Sequence, residues 1–375
     1  LQTVSTTHAV MYTKEVPHPP GENIPRLYVP TGPVDDSVPT EGEIESAVAR
    51  LKNNKASGPS KMKAEYLKEW LKAARPPEEE GAPEPEPGRW IKSCDLVQHI
   101  FRTQEIPTEL PWQFLALLPK ADGGVRGIGL LEIVWKLCEA IIDTRLKASV
   151  HLHEILHGFR SHRGTGTAII EVKLQQELAS INHQPLYQAF IDLKKAYDTF
   201  DRERALEIFA DYGLGERLCN ILRNYWKGQQ IVARQSGYHG PAFPATRGGS
   251  QGGIFTPMEF NIIMDCVIRY WLSLVIDDNG VVANGFGRAV AERLTVSYAD
   301  DCILSATDHE WLQLAVDELI NCFRRVGLEC NIDKTKMMTC FPGSVRTEMS
   351  DEAYVRRMTG MGPTYAERQQ QQVVC

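Results

Sequence analysis

A chain of 375 residues with 43% hydrophobic content is long enough for two or three subdomains around a real core, which excludes a wholly disordered protein. It carries no run of about 18 consecutive apolar residues and no basic stretch followed by an apolar one at its start, so neither membrane insertion nor secretion is expected. The net charge of −7 excludes nucleic acid only on first sight: residues 76–88, PPEEEGAPEPEPG, hold five Glu without a Lys or Arg, and the remainder is nearly neutral.

Nine Cys, an odd number without a C-x-x-C pair, suit a reducing intracellular compartment and no structural zinc. A Leu at position 1 and a lone Cys375 at the other end read as a piece of a longer polypeptide.

Residues 1–40, rich in Pro and Thr, have no sustained period and read as a linker. A helix is expected at 41–54, and a second after the Gly-Pro turn in ASGPSKMKAEYLKEWLK (56–72). The acidic tract that follows cannot bury apolar surface and reads as a disordered insertion. Ile91, Leu96, Ile100 and Phe101 mark another helix to Arg102, and FLALLPK (114–120) a short strand. ADGGVRGIG is a Gly-rich turn, and Ile133, Leu137, Ile141 and Ala148 keep a helical face through 131–150.

In the second half, YQAFIDL (187–193) is an apolar strand ending in Asp192, and Leu206, Phe209 and Tyr212 line a helix stopped by Gly213. TPME (256–259) has the form of a capping box opening a helix to about Ile276. LTVSYADDCILSA (294–306) reads as a hairpin, Asp308 caps a helix that Gly327 stops, and LECNID makes one more strand. Mixed strands and helices with hairpins give an α+β fold rather than a doubly wound sheet.

The hairpin tip sets Asp300 and Asp301 side by side. Either water screens these like charges in an ordinary turn, or a multivalent cation neutralises them. The local sequence leaves both open. Asp192 is a third carboxylate at the end of a separate strand. Two-metal phosphoryl transfer needs carboxylates from different strands around ions about 4 Å apart.

Taken in order, LLPKADGGVRGIGLLEIVWKLCEAIIDTRL, GFRSHRGTGTAI, AFIDLKKAYDTFDRERAL, GGSQGGIFTPMEFNIIMD, SYADDCIL and GLECNIDKTKMM resemble the successive motifs of a reverse transcriptase, most nearly that of a non-LTR (LINE-type) retrotransposon, over roughly residues 41–345. The resemblance implies a right-hand polymerase fold with an antiparallel palm sheet packed on helices: fingers at 41–185, palm at 186–340, and at 341–375 the start of a largely missing thumb or a linker. It implies RNA-directed DNA synthesis with two Mg²⁺, Mn²⁺ being a substitute. The implied partners are an RNA template, a DNA primer and deoxynucleoside triphosphates, in the nucleus and cytoplasm of a eukaryote.

Residue by residue, the resemblance makes Asp192, Asp300 and the backbone carbonyl of Leu193 metal ligands, with Asp301 the companion acid. Lys120 and Arg126 would fold over the incoming triphosphate, Gln251 would position template and nascent pair, and Lys334 would assist pyrophosphate departure. Tyr197, five residues after Asp192, would lie under the incoming sugar and leave no room for a 2′-hydroxyl. The Gly run at 248, 249, 252 and 253 suits close backbone approach to nucleic acid.

This sequence departs from the family at Gly127, where Pro is usual, at Ser60, where Asp is common, and in the atypical GGIFTPMEF. A group II intron-type reverse transcriptase and a catalytically degenerate RNA-binding remnant are the alternatives.

Overall fold

The computed structural model describes residues 24, 32–75, 87–119, 125–235, 237–275, 295–340 and 347–349. Most of the 1–40 linker, nearly all of the acidic tract, Lys120 with the turn that follows it, and most of the 341–375 segment lie outside the described residues.

In chain order the elements are α1 (Glu41–Arg50), α2 (Ala64–Ala74), α3 (Gly88–Thr103), β1 (Trp112–Pro119), β2 (Val125–Leu130), α4 (Ile133–Ser149), α5 (Thr165–Ile181), β3 (Leu186–Ile191) and α6 (Ala196–Thr199). There follow α7 (Arg202–Asp211), α8 (Glu216–Lys227), β4 (Gln230–Gln235), β5 (Tyr238–Pro244), α9 (Thr256–Val275), β6 (Thr295–Tyr298), β7 (Asp301–Ala306), α10 (His309–Arg325), β8 (Lys336–Cys340) and β9 (Thr347–Met349). The α+β class is as the sequence led one to expect. None of the described helices is long and apolar enough to cross a membrane.

Two compact units share these elements, one holding the described residues of 32–151 and 197–259, the other those of 152–196 and 260 onward. They interleave along the chain, whereas the division expected from the resemblance is a single cut after residue 185. Strand pairing is the reason: β4 pairs with β1 and β5 with β4, while Leu156 bridges to Ser297 ahead of β7.

The first unit is built on a four-stranded sheet of order β2-β1-β4-β5. Leu115, Leu117, Ile231, Ala233, Phe243 and Ala245 form its apolar face. Thr40 and Glu43 close a reciprocal capping box at the start of α1. Buried Arg145 on α4 pins that end by bonding the Glu43 carboxylate and the carbonyls of Asp35 and Ser37. Helix α1 stops at Arg50 rather than 54, its C-cap Leu51 being extended. On α3 the core residues are Trp90, Cys94, Val97, Ile100 and Phe101. Ile91 faces outward, because the buried stripe is centred about one position from the face that the sequence suggested.

The second unit is a five-stranded antiparallel sheet of order β6-β7-β3-β8-β9 with α10 packed on β3 and β7, and α5 on β6. A buried polar ladder sets the register between α5 and the sheet: Gln176 donates to Gln188, Gln188 to Ser305, and Ser305 to Gln175. Asp308 accepts from the Trp311 amide at 2.8 Å and caps α10, and Gly327 at φ 79° ends it, as expected.

LECNID is not a strand. Only Cys330 bridges there, to Leu193, and Asn331 then starts a turn whose carbonyl accepts from the Lys334 and Thr335 amides. The strand itself is β8, in TKMMTC. The expected capping box at 256–259 also differs. Thr256 is already helical, its hydroxyl donates to the Ser250 carbonyl, and Glu259 is buried.

Candidate active site

In the second unit β3 runs between β7 and β8, so its end is positioned from both sides. The β3–β7 register pairs Ile191 with Cys302, and one further step in that register sets Asp192 opposite Asp301. Cross-strand partners share a face, so the two carboxyls are neighbours although 109 residues separate them. The mutual field is visible in Asp301. Its carboxyl is raised above the ordinary range by partial desolvation first, then by the negative charges of Asp300 and Asp192.

Asp192 is held by residues far away in the chain. The Asn331 side-chain amide donates to its Oδ2 at 2.9 Å, and the Asn331 backbone amide donates to its carbonyl at 2.7 Å. Leu193 is buried and bridged to Cys330. Asn331 was missed in the sequence, although it lies inside the GLECNIDKTKMM block. Lys334, singled out from the same block, is exposed three residues after Asn331, on the turn.

At the hairpin tip the two-residue turn is Ala299-Asp300, with Ala299 at φ 57°. A non-Gly residue in this left-handed region costs about 1–2 kcal/mol, so the surroundings must enforce it. They do. The Ser297 amide donates to the Ile155 carbonyl, the His157 amide to the Ser297 carbonyl, and Gly158 lies so close that a Cβ there would stand 2.5 Å from the Ala299 nitrogen. Asn261 of α9 donates to the Gly158 carbonyl at 2.8 Å.

The first unit holds the other expected groups. The Gln251 side-chain amide donates to Asp198 Oδ2 at 2.9 Å. Because a carboxylate only accepts, this bond decides which way round the Gln251 amide lies. The glycine loop is zipped to the α6 turn, with the Gly248 amide on the Phe200 carbonyl and the Gly249 amide on the Tyr197 carbonyl. Half-buried Tyr197 precedes buried Asp198. The loop glycines are required by the protein itself: a Cβ at Gly248 would clash with the Asp198 backbone, at Gly249 with Glu259 and Thr256, at Gly252 with the Gly129 carbonyl, and at Gly253 with Thr256 and Glu139. The expectation that they make room for nucleic acid therefore gives way to close approach of the chain to itself.

Beneath the loop, Glu139 accepts from the Ile254 amide and the Trp135 indole. Burial pushes its carboxyl up to about 7, and pushes Glu259 up to about 8 with the charge of Glu139 adding to it. Buried Arg202 carries the opposite charge and donates to the Gly248, Trp226 and Ala245 carbonyls and to Gln229. Arg126 is exposed on β2 opposite Leu118. Gly127 sits in regular β2 pairing, packed on the Leu115 side chain. Ser60, where the family commonly has Asp, donates its amide and hydroxyl to the Glu132 carboxylate at 2.6 and 2.5 Å.

The donor set at the β3 end is hard oxygen ligands under mutual repulsion, which fits a divalent cation better than zinc or a soft metal. Among the described residues no three His, Cys, Asp or Glu side chains converge tightly enough to hold a metal on their own. Mg²⁺ characteristically takes one or two protein carboxylates and completes its octahedron with water and substrate phosphate, so such a partial set is compatible with it.

An antiparallel sheet with a strand-end carboxylate facing a hairpin-tip pair, flanked by helices, is the palm architecture of template-directed nucleotidyl transferases. The family model described as "Reverse transcriptase (RNA-dependent DNA polymerase)" matches residues 118–373, and the chain belongs to that family. Members are divalent-metal enzymes.

The chain is 25% identical over 268 residues to the "Retrovirus-related Pol polyprotein from type-2 retrotransposable element R2DM" of Drosophila melanogaster, covering 72% of this chain and 23% of that protein. It is 31% identical over 179 residues to the "Putative 115 kDa protein in type-1 retrotransposable element R1DM" of the same organism, covering 44% and 16%. The likeness to non-LTR retrotransposon enzymes is thereby borne out. The chain spans about a quarter or less of the length of these curated relatives. Among solved structures, a Candida tropicalis telomerase truncated from its C-terminal domain aligns at 14% identity and a TM-score of 0.47 over 73% of this chain and 60% of that one, too distant to carry an argument.

Proposed function

We propose that this chain is the polymerase region of a non-LTR retrotransposon protein, and that it extends a DNA 3′-hydroxyl on an RNA template with deoxynucleoside triphosphates. The observation that carries the reading is the register that sets Asp192 against Asp301 beside Asp300, on a sheet of the reverse transcriptase family. Asp192, Asp300, Asp301 and the Leu193 carbonyl would hold Mg²⁺, with Mn²⁺ as a substitute. When bound, the ions neutralise charge that develops on the transferred phosphoryl group.

The chain's own residues do the rest. Asn331 orients the Asp192 carboxylate, and Gly158 and Asn261 fix the turn that presents Asp300. In the first unit, whose sheet we assign to the fingers, Asp198 orients Gln251 toward the templating pair. The Tyr197 ring excludes a ribose 2′-hydroxyl. Arg126 and Lys120 contribute positive charge to the triphosphate, and Lys334 to the departing pyrophosphate. The second unit's sheet is assigned to the palm.

Extension of a labelled DNA primer on an RNA template with Mg²⁺ tests this, run beside Asp300→Asn. Loss of a group that stabilises transition-state charge costs roughly 10²-fold or more. Equal extension by the two proteins would sink the assignment, and no extension by the wild type would favour a non-catalytic RNA-binding remnant.

A further inference from the structure

In the first unit the end of α1, the 51–63 connection, α4 and the Gly252–Ile254 segment enclose a cavity of about 440 Å³. Its wall carries Arg50, Lys52, Lys55, Lys63, Lys136 and Lys147 against one acid, Asp143. That acid is already committed to Lys147 at 2.7 Å. The side chains of Lys52, Lys55 and Lys136 make no hydrogen bond or ion pair with any described residue, although the charge of Glu139 acts on the Lys136 ammonium. Lys136 is moreover half-buried, and burial presses its ammonium toward the neutral form. In a chain with net charge −7 such a concentration of one sign is not a consequence of composition. It is a repulsive arrangement that an anion would relieve.

The remaining wall is apolar, with Met62, Leu131, Ile133 and Ile254. An apolar wall with a cationic rim suits one nucleotide unit, base against the former and phosphate against the latter. The volume falls within the roughly 300–1,000 Å³ of pockets that enclose a small organic ligand. Gly252 and Ile254 also belong to the loop that carries Gln251, so the cavity wall and the residue assigned to the templating pair are parts of one segment.

We propose that this cavity receives one nucleotide of single-stranded RNA from the template strand that has yet to be copied. The inference rests on the polymerase reading above. A free nucleotide shares the chemistry, and the experiment separates the two sources.

The test is equilibrium binding of the whole chain, without turnover, to two fluorescent RNA–DNA duplexes: one with a single-stranded RNA template overhang and one blunt. Wild type is compared with the double variant Lys52→Ala/Lys55→Ala, whose exposed side chains hold nothing in the fold, and with Lys136→Met, which keeps the stem and removes the charge. The overhang duplex should bind the double variant several-fold more weakly. The slope of log affinity against log salt should fall by roughly 0.7, the value for one single-strand phosphate contact. Blunt-duplex affinity should stay unchanged. 4-Thiouridine in the overhang should crosslink to peptides covering residues 50–64. Equal weakening for both duplexes, no weakening for either, or displacement of the overhang by free nucleotide without crosslinks to 50–64 would each overturn the proposal. Primer extension by the wild type in parallel keeps the two readings apart. With extension intact, a failed binding prediction removes the cavity assignment alone. With neither extension nor overhang binding, both fall.

Discussion

Gly158→Ala isolates how the hairpin tip is held. The new Cβ would lie 2.5 Å from the Ala299 nitrogen and 3.2 Å from its Cα, against the 3.5–4.0 Å of ordinary contact, a shortfall of about 1 Å. The obstacle is backbone, which cannot swing aside as a side chain can. Residue 158 is itself held by Asn261, and residues 155 and 157 by Ser297, so the displacement falls on the Ala299-Asp300 turn. Overpacking of this kind costs about 1–3 kcal/mol, partly offset by the loss of up to about 1 kcal/mol of unfolded-chain freedom when Gly becomes Ala. The melting temperature should therefore fall by only a few degrees. A 1 Å misplacement of a catalytic group, by contrast, costs on the order of 10²-fold in rate. Steady-state primer extension should show a large fall in kcat with a small fall in Tm. Gly166→Ala is the control, since nothing lies within 4 Å of its added Cβ and Ala favours the helix. If Gly158→Ala keeps kcat within about twofold of wild type, the tip is not positioned by this contact.

Tyr197→Val should raise the ratio of ribonucleotide to deoxyribonucleotide incorporation efficiency; an unchanged ratio in a folded variant would make Tyr197 core packing. Asp198→Ala removes the acceptor that sets the Gln251 amide, and kcat/KM for correct nucleotides should drop roughly tenfold, with Asp198→Asn recovering part of it because its carbonyl still accepts. Equal losses in Asp198→Ala and Asp198→Asn would point to charge rather than orientation. The Glu139 and Glu259 carboxyls, at about 7 and about 8 in the fold against a reference of 4.5, bind more protons folded than unfolded. Their protonation therefore favours the fold fully below about pH 4.5, and that contribution is lost as pH rises through 7 to 8. Tm should fall across that window, and less steeply in Glu259→Gln; identical slopes would show that the pair does not titrate there.

Short-range pattern alone determined much of this protein. The apolar run that ends in Asp192 is β3, the flanked YADD tip is the β6–β7 hairpin, and Gly213 and Gly327 stop their helices at φ 87° and 79°. The hairpin and the helix stops depend on hydrogen bonds among residues a few positions apart, and β3 is legible from its apolar run alone, although its ladder partners in β7 and β8 lie more than 100 positions away. Helix α5 escaped notice although Ile170, Leu174, Leu178 and Ile181 recur at helical spacing, and in the fold that stripe is exposed rather than buried. The carboxylates could be named from the motif order, but their supports could not. Asn331 reaches Asp192 across 139 positions, Gly158 makes room for a turn 141 residues later, and Asp198 holds Gln251 across 53. The glycines of the 248–253 loop looked like space for a ligand and are space for Asp198, Gly129 and Glu139. A donor, a missing Cβ or a carboxylate has many satisfactory partners in a linear chain. Only strand register and chain crossing select one, and they exist only once the sheets have formed.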